Sequence, residues 1–152
     1  MKGLLISVTV SILVLSCAPK STQVNLDKAL VFFEDIDSLC SIDDGKLWGV
    51  NLYGPILIVD SETRTVIANM PDNENQLKRN YGVYVGELPK EISIANTTVE
   101  WLGQNWAMVS MNAISSESEY NRNRLIIHES WHREQKKFGV KFITSSNQHL
   151  DE

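Results

Sequence analysis

The sequence predicts an α+β fold in which a mainly antiparallel sheet of about five strands packs against one long helix. Three observations predict it. The chain has 152 residues, 43% of them hydrophobic and 22% charged, which is typical of one globular domain with a substantial core. Short runs rich in β-branched residues, separated by turn residues, fill the middle of the chain. A long segment with helical start and stop signals follows them.

The first 16 residues are expected to be an export signal outside the fold. Lys2 precedes an apolar run that is too short to cross a bilayer as a helix of about 20 residues. Residues 14–17, Val-Leu-Ser-Cys, resemble a bacterial lipobox, whose cysteine receives a diacylglycerol and becomes the mature N-terminus. We therefore expect residues 1–16 to be a lipoprotein signal peptide, with lipidation at Cys17, a polar tether at 17–25 and one domain at 26–152. The alternative is an ordinary cleaved signal beside an unmodified cysteine.

These features predict a compartment and exclude some partners. A lipid-anchored chain would lie in the bacterial cell envelope, on the outer membrane or facing the periplasm, with the membrane as a partner. With Cys17 lipidated, Cys40 lacks a second cysteine to pair with and is expected to be a small buried residue. The net charge is −5, so no basic surface is expected to attract nucleic acid.

The elements are predicted from hydrophobic spacing. Apolar residues recur every three or four positions over residues 26–39, which favours an amphipathic helix. Strands are predicted at 52–59 and 65–68, and the turn residues between them favour a hairpin. A polar loop follows at 72–80, and the remaining strand candidates are residues 81–88, 93–99 and 106–111.

The long helix is predicted over residues 120–138. Ser116 to Glu119 supply capping and acidic side chains at its start, and Lys136, Lys137 and Gly139 supply a basic last turn and a stop. A short strand is predicted at 140–144. The four tryptophans, scattered over strands and the helix, are expected to pack in the core or at its rim.

This helix carries the pattern H-E-x-x-H at His128, Glu129 and His132. Residues four apart lie about 6 Å apart along an α-helix and on one face, so both imidazoles can bind one Zn²⁺. Glu129 lies on the adjacent flank, where a carboxylate could take a proton from a metal-activated water. An exposed helix face with two solvated histidines is the alternative.

On these residues the sequence resembles the zincin metallopeptidases. The resemblance implies zinc as cofactor, His128 and His132 as ligands, Glu129 as general base and a peptide or protein as substrate. It also implies a strand along the cleft that pairs with an extended peptide, for which residues 106–110 are the candidate. Residues 47–55, 94–98 and 147–152 further resemble the opening part of longer envelope lipoproteins that carry the same motif.

The resemblance leaves the third zinc ligand open. In the metzincin variant, a glycine and a histidine would stand where this chain has Gln135 and Phe138, which excludes that variant. The gluzincin branch takes a glutamate some twenty residues downstream, which is Glu152, at the last position of the chain. Asp151 and His149 are chemically able substitutes, and a disordered polar tail is the alternative for all three.

The sequence therefore predicts a zinc metallopeptidase-like envelope lipoprotein, whose residues 26–152 form a zincin-like N-terminal domain. A zincin of this kind has a second, mostly helical subdomain after the motif, so we expect a chain truncated before it and possible loss of activity. Two other hypotheses remain open. One is a non-catalytic, lipid-anchored binding or structural protein with a vestigial motif, and the other is a fragment too incomplete to fold stably.

Overall fold

The computed structural model describes residues 20–138, and these form the predicted α+β fold. Within this range, three α-helices and a six-stranded sheet follow one another along the chain. Their bounds, in chain order, are α1 Lys20–Asp43, β1 Ile56–Val59, β2 Thr65–Ala68, β3 Lys78–Asn80, β4 Val83–Glu87, β5 Thr97–Trp101, β6 Gln104–Ser110, α2 Met111–Ile114 and α3 Glu119–Glu134. A 3₁₀ turn, Gln135–Phe138, continues α3. None of the helices described has the length and apolar character needed to cross a membrane.

The sheet has the order β3-β4-β2-β1-β6-β5, and it is mainly antiparallel, as predicted. Among these strands only the pair β1 with β6 runs parallel. The β1–β2 hairpin is confirmed, and its turn is closed by Asp60, whose side chain accepts hydrogen bonds from the backbone of Glu62 and Thr63, both at 2.9 Å.

The sheet exceeds the prediction by one strand because Lys78–Asn80, predicted as loop, pairs with β4. The connection is Tyr81-Gly82, with φ of +45° and +91°. Two successive residues with positive φ form the tight hairpin turn whose twist matches that of the strands it joins. Leu102-Gly103, with φ of +49° and +74°, joins β5 to β6 in the same way. Because of that turn, β5 lies at Thr97–Trp101, which is closer to the C-terminus of the chain than the predicted strand 93–99.

Helix α1 is longer than predicted, because it begins at Lys20, inside the segment predicted as tether. No glycine or proline interrupts the chain from Lys20 to Asp43, so nothing in the sequence stops the helix earlier. Asp44 and Gly45, with φ of +49° and +70°, end it. Strand β1 is shorter than predicted because Gly54 and Pro55 keep the preceding residues out of the ladder.

Two hydrophobic clusters lie on opposite faces of the sheet. Along β1 the side chains alternate, so Ile56 and Ile58 face the helices while Leu57 and Val59 face the other side. The helix side contains Cys40, which is buried as predicted, and this burial raises the pKa of its thiol. The opposite side is built around Trp106, which is fully buried and donates its indole N–H to the carbonyl of Trp101 at 2.8 Å.

Arg133 ties the end of α3 to the segment that leads into β1. Its buried guanidinium donates to the carbonyl oxygens of Leu52 at 2.7 Å and Pro55 at 2.9 Å, and its Nε contacts Glu134 Oε1 at 3.0 Å. Gly54 leaves the necessary room, because a side-chain carbon there would lie 2.6 Å from Arg133 Nη2. These contacts hold α3 at one position along the sheet and in one rotation about its own axis.

A second tie holds the first half of α3 against α1. Arg122 contacts Asp35 Oδ2 at 2.5 Å, and its guanidinium carbon lies 4.3 Å from the centre of the Phe32 ring. The residues between Arg122 and Arg133 therefore sit on a helix that is anchored at both ends.

We predict that Arg133→Met lowers the free energy of unfolding by roughly 3 kcal/mol, because the buried carbonyl of Leu52 and the part-buried carbonyl of Pro55 lose their donor and the buried Glu134 carboxylate loses one of its two cations. Urea unfolding followed by circular dichroism measures this. The matched control is Arg79→Met on the exposed strand β3, where a change within about 0.5 kcal/mol is expected. Equal stabilities of the two variants would contradict the proposed role of Arg133.

Candidate metal centre on helix α3

Local sequence signals build the helix that carries the histidines. Ser118 caps it by accepting a hydrogen bond from the backbone N–H of Asn121 at 3.3 Å, which confirms the predicted start. The last four residues of the predicted helix, Gln135–Phe138, form a 3₁₀ turn instead of α-helix. The backbone N–H of Gln135 is shared between the carbonyls of Trp131 and His132, which is a common way for a helix to tighten at its end. Gly139 and residues 140–144 lie outside the described residues.

The two imidazoles of the motif converge. The Nε2 atoms of His128 and His132 lie 3.0 Å apart, and the ring centres lie 4.5 Å apart with the rings perpendicular. Two nitrogens bound at about 2.0–2.1 Å to one tetrahedral zinc ion lie about 3.3 Å apart. The pair is therefore within a few tenths of an ångström of the separation that a shared ion requires. His128 is exposed and His132 half-buried, so the pair opens to solvent on one side.

His132 is held in one orientation by Gln135. Its Nδ1 lies 2.8 Å from Gln135 Oε1, and Gln135 is itself buried. An amide oxygen can only accept, so Nδ1 must carry the proton, and the lone pair of the neutral ring is then on Nε2. A metal ligand needs this tautomer, and in metal sites the non-ligating nitrogen commonly donates to such an acceptor. The centre of the Trp131 ring lies 5.3 Å from that of the His132 ring, and the two rings meet edge to face at 65°.

Gln135 is a residue whose role the sequence analysis did not anticipate. There it served only to exclude the metzincin variant. The available signal was its position three residues after His132, at the end of the same helix, where side chains of one face meet. The distance could not be foreseen because it depends on the 3₁₀ turn that starts at Gln135.

Glu129 lies on the buried flank of α3, next to the histidine face. It is only 5% exposed, and none of the side chains that the structure describes, which leave out those of residues 20–25 and Lys136, forms a hydrogen bond or ion pair with its carboxylate. Its carboxylate oxygens are not among the fully buried oxygens that lack a hydrogen bond in the described part of the chain. By contrast, the neighbouring Glu134 is paired with Arg133 and Lys137, and these hydrogen bonds lower the pKa of its carboxyl despite the opposing effect of burial.

The described residues bring together two metal donors and not three. Among them no group of three His, Cys, Asp or Glu side chains is placed to hold a metal ion. The residues predicted as third ligand, Glu152 with Asp151 and His149 as substitutes, lie outside the described residues, as does the predicted lipidation site Cys17.

The sheet order contradicts the prediction that residues 106–110 pair with an extended peptide along the cleft. Residues 106–110 belong to β6, which is paired with β1 on one side and with β5 on the other, so its backbone is not available to a peptide. The reason is that the hairpin turn at Leu102-Gly103 folds β5 back onto β6. Strand β5 is instead the edge strand on this side, and α3 packs across β5 and β6.

Comparison with known proteins identifies no relative, because no protein-family model, curated protein or solved structure matches the chain. A function is therefore proposed from the geometry around α3.

We predict that metal-free protein holds His132 in the Nδ1–H tautomer, because Gln135 Oε1 accepts that proton. Long-range ¹H–¹⁵N correlation spectra of the imidazole rings distinguish the two tautomers directly. Gln135→Leu should abolish the preference, whereas Gln76→Leu, in an exposed loop, should leave it intact. A protonated Nε2 in the unsubstituted protein would contradict the assigned hydrogen bond.

Proposed function

We propose that this chain is a zinc-dependent, metallopeptidase-like envelope lipoprotein of the zincin type that hydrolyses peptide bonds. One observation carries the proposal. Two imidazole Nε2 atoms meet 3.0 Å apart on a helix whose intervening Glu129 is buried and has no partner among the described residues. At this separation the two rings either share one proton in a hydrogen bond or bind one ion in its place, and the Glu129 carboxylate on the adjacent flank favours the ion.

The two histidines would hold the metal through Nε2, and Gln135 would keep His132 in the tautomer that can do so. A third donor is required, and Glu152 is the proposed one, with Asp151 and His149 as chemically equivalent candidates. When bound, zinc supplies Lewis acidity, which makes a water molecule a better nucleophile and draws electrons from the scissile carbonyl.

Glu129 is the proposed general base. As water attacks the carbonyl carbon, one water proton passes to the carboxylate, and the new C–O bond forms. When the C–N bond breaks, the same proton passes to the leaving amine, so the carboxylate is restored. A carboxylate already bound to an arginine or a lysine would be less able to accept that proton. Glu134 is unsuited to the role, because its carboxylate is already paired with Arg133 and Lys137.

The extended substrate is proposed to lie along β5. Among the described strands it is paired on one side only, with β6, and α3 packs across the same end of the sheet. A peptide that adds to a sheet edge gains main-chain hydrogen bonds that do not depend on its sequence. The other edge strand, β3, is only three residues long and carries Lys78 and Arg79, which is typical of an edge protected from pairing.

The anchor and the compartment belong to the same proposal. Cys17 would carry the lipid and hold the domain at the membrane of the bacterial envelope, where peptides and proteins are the available substrates.

A second candidate function is a non-catalytic, lipid-anchored binding or structural protein. It is favoured by the exposed apolar side chains of Ile42, Leu47 and Trp48, which are 72%, 73% and 45% exposed beside the helix pair. Stoichiometric zinc in the purified protein favours the enzyme, and a protein that retains no metal favours the binding function.

We predict that Glu129→Gln abolishes peptide hydrolysis while zinc remains bound, because the amide cannot accept the water proton and Glu129 is not a proposed ligand. Turnover of a fluorogenic peptide library and zinc content by mass spectrometry measure the two effects. Glu91→Gln, on an exposed loop, is the matched control and should retain activity. Unchanged turnover in Glu129→Gln would exclude Glu129 as the base.

We also predict a graded loss of zinc affinity, measured by competition with a chromogenic chelator. Gln135→Leu should weaken binding roughly 10- to 100-fold, as expected for a residue that orients a ligand. His128→Ala and His132→Ala should weaken it further, since each removes a ligand. Gln76→Leu should have no effect. Zinc binding that survives both histidine substitutions would place the metal elsewhere.

A further inference from the structure

A cavity adjoins His128 on the face of α3 that also carries His132. Its volume is about 320 Å³, and the described residues that line it are Arg124, Leu125 and His128. A larger cavity of about 490 Å³ lies beyond it and shares Arg124. Arg124 precedes His128 by four residues, so both side chains lie on one helix face. Arg124 is therefore a cation that a molecule at the histidine pair would meet.

Arg124 differs from the other arginines of α3 in having no carboxylate partner among residues 20–138. Arg122 is paired with Asp35, and Arg133 is held by Glu134 and two backbone carbonyls. The contact that Arg124 makes is with the ring of Tyr120, whose centre lies 6.0 Å from the guanidinium carbon. A ring at this distance steadies the guanidinium and leaves its N–H donors available.

We propose that Arg124 forms a subsite that binds a carboxylate group of the peptide substrate beside His128. The inference rests on the proposed function, because it identifies the substrate class of the same site. A guanidinium matches a carboxylate with two parallel N–H···O bonds, which gives orientation as well as affinity. Leu125 supplies an apolar wall, and this lowers the competition from water for those hydrogen bonds.

Charge complementarity favours an anion at this position. The chain as a whole has a net charge of −5, so a cation that has no ion pair with the residues the structure describes differs from the average charge of the protein. Glu119 lines the larger cavity and not the smaller one, so the carboxylate is expected on the His128 side of Arg124. The carboxylate can come from a free peptide C-terminus or from an aspartate or glutamate side chain.

The test measures binding, so it does not require turnover. Full-length protein in EDTA is titrated with N-acetyl-trialanine, its C-terminal amide, and amidated N-acetyl-Ala-Asp-Ala and N-acetyl-Ala-Asn-Ala. The chemical shifts of the Leu125 methyls and the His128 ring report occupancy. We expect at least one carboxylate peptide to bind about 10-fold or more tightly than its neutral counterpart. Tighter binding of the free C-terminus or of the aspartate peptide identifies the source of the carboxylate.

The variants Arg124→Gln, Arg124→Lys and Arg79→Gln complete the test. Arg124→Gln should bind charged and neutral peptides equally, Arg124→Lys should keep part of the preference, and the exposed control Arg79→Gln should keep all of it. Equal binding of all peptides by the unsubstituted protein, or a preference that survives Arg124→Gln, would overturn the proposal. A protein that shows the preference but neither binds zinc nor hydrolyses peptides would overturn the proposed function and leave the carboxylate subsite supported.

Discussion

The arrangement of the candidate site depends on one buried guanidinium. Arg133 joins α3 to the chain at residues 52–55 through two backbone carbonyls, and glycine at position 54 makes the close approach feasible. Apolar packing against the sheet and this set of directed hydrogen bonds together favour one rotation of the helix. That rotation turns Glu129 toward the interior and leaves His128 at the surface, so the same bonds decide which residues of the motif face solvent.

The chemistry proposed for the site follows from differences among neighbouring side chains of the same type. Glu129 and Glu134 are both buried, but Glu134 is neutralised by Arg133 and Lys137 while Glu129 has no such partner in the described part of the chain. Arg122 and Arg133 stabilise the fold through their partners, whereas Arg124 faces a cavity beside His128. In each case the residue for which the described part of the chain offers no ion pair is the one next to the histidine pair. Unused hydrogen-bonding capacity next to a possible metal site is what binding and catalysis require.

Much of the fold could be predicted from local signals. The β1–β2 hairpin, the buried Cys40, the capped α3 and the mainly antiparallel sheet all follow from β-branched runs, turn residues and helical spacing. The errors have a common origin. Strand β3 is polar and has three residues, and β5 begins four residues later than predicted, because tight turns at Tyr81-Gly82 and Leu102-Gly103 set the register of both hairpins. A tyrosine or leucine with positive φ is not a turn signal that composition reveals.

By itself the sequence determined that two imidazoles lie one helical turn apart with a glutamate between them, because the spacing of an α-helix is a local property of the backbone. Only the tertiary structure decided that the Nε2 atoms lie 3.0 Å apart, that Gln135 selects the tautomer of His132, and that Glu129 is buried. It also decided that β5, and not β6, is the edge strand beside the helix. These features depend on contacts between segments distant in the chain, such as Arg133 with Leu52, and on the exact end of a helix, which no periodic pattern encodes.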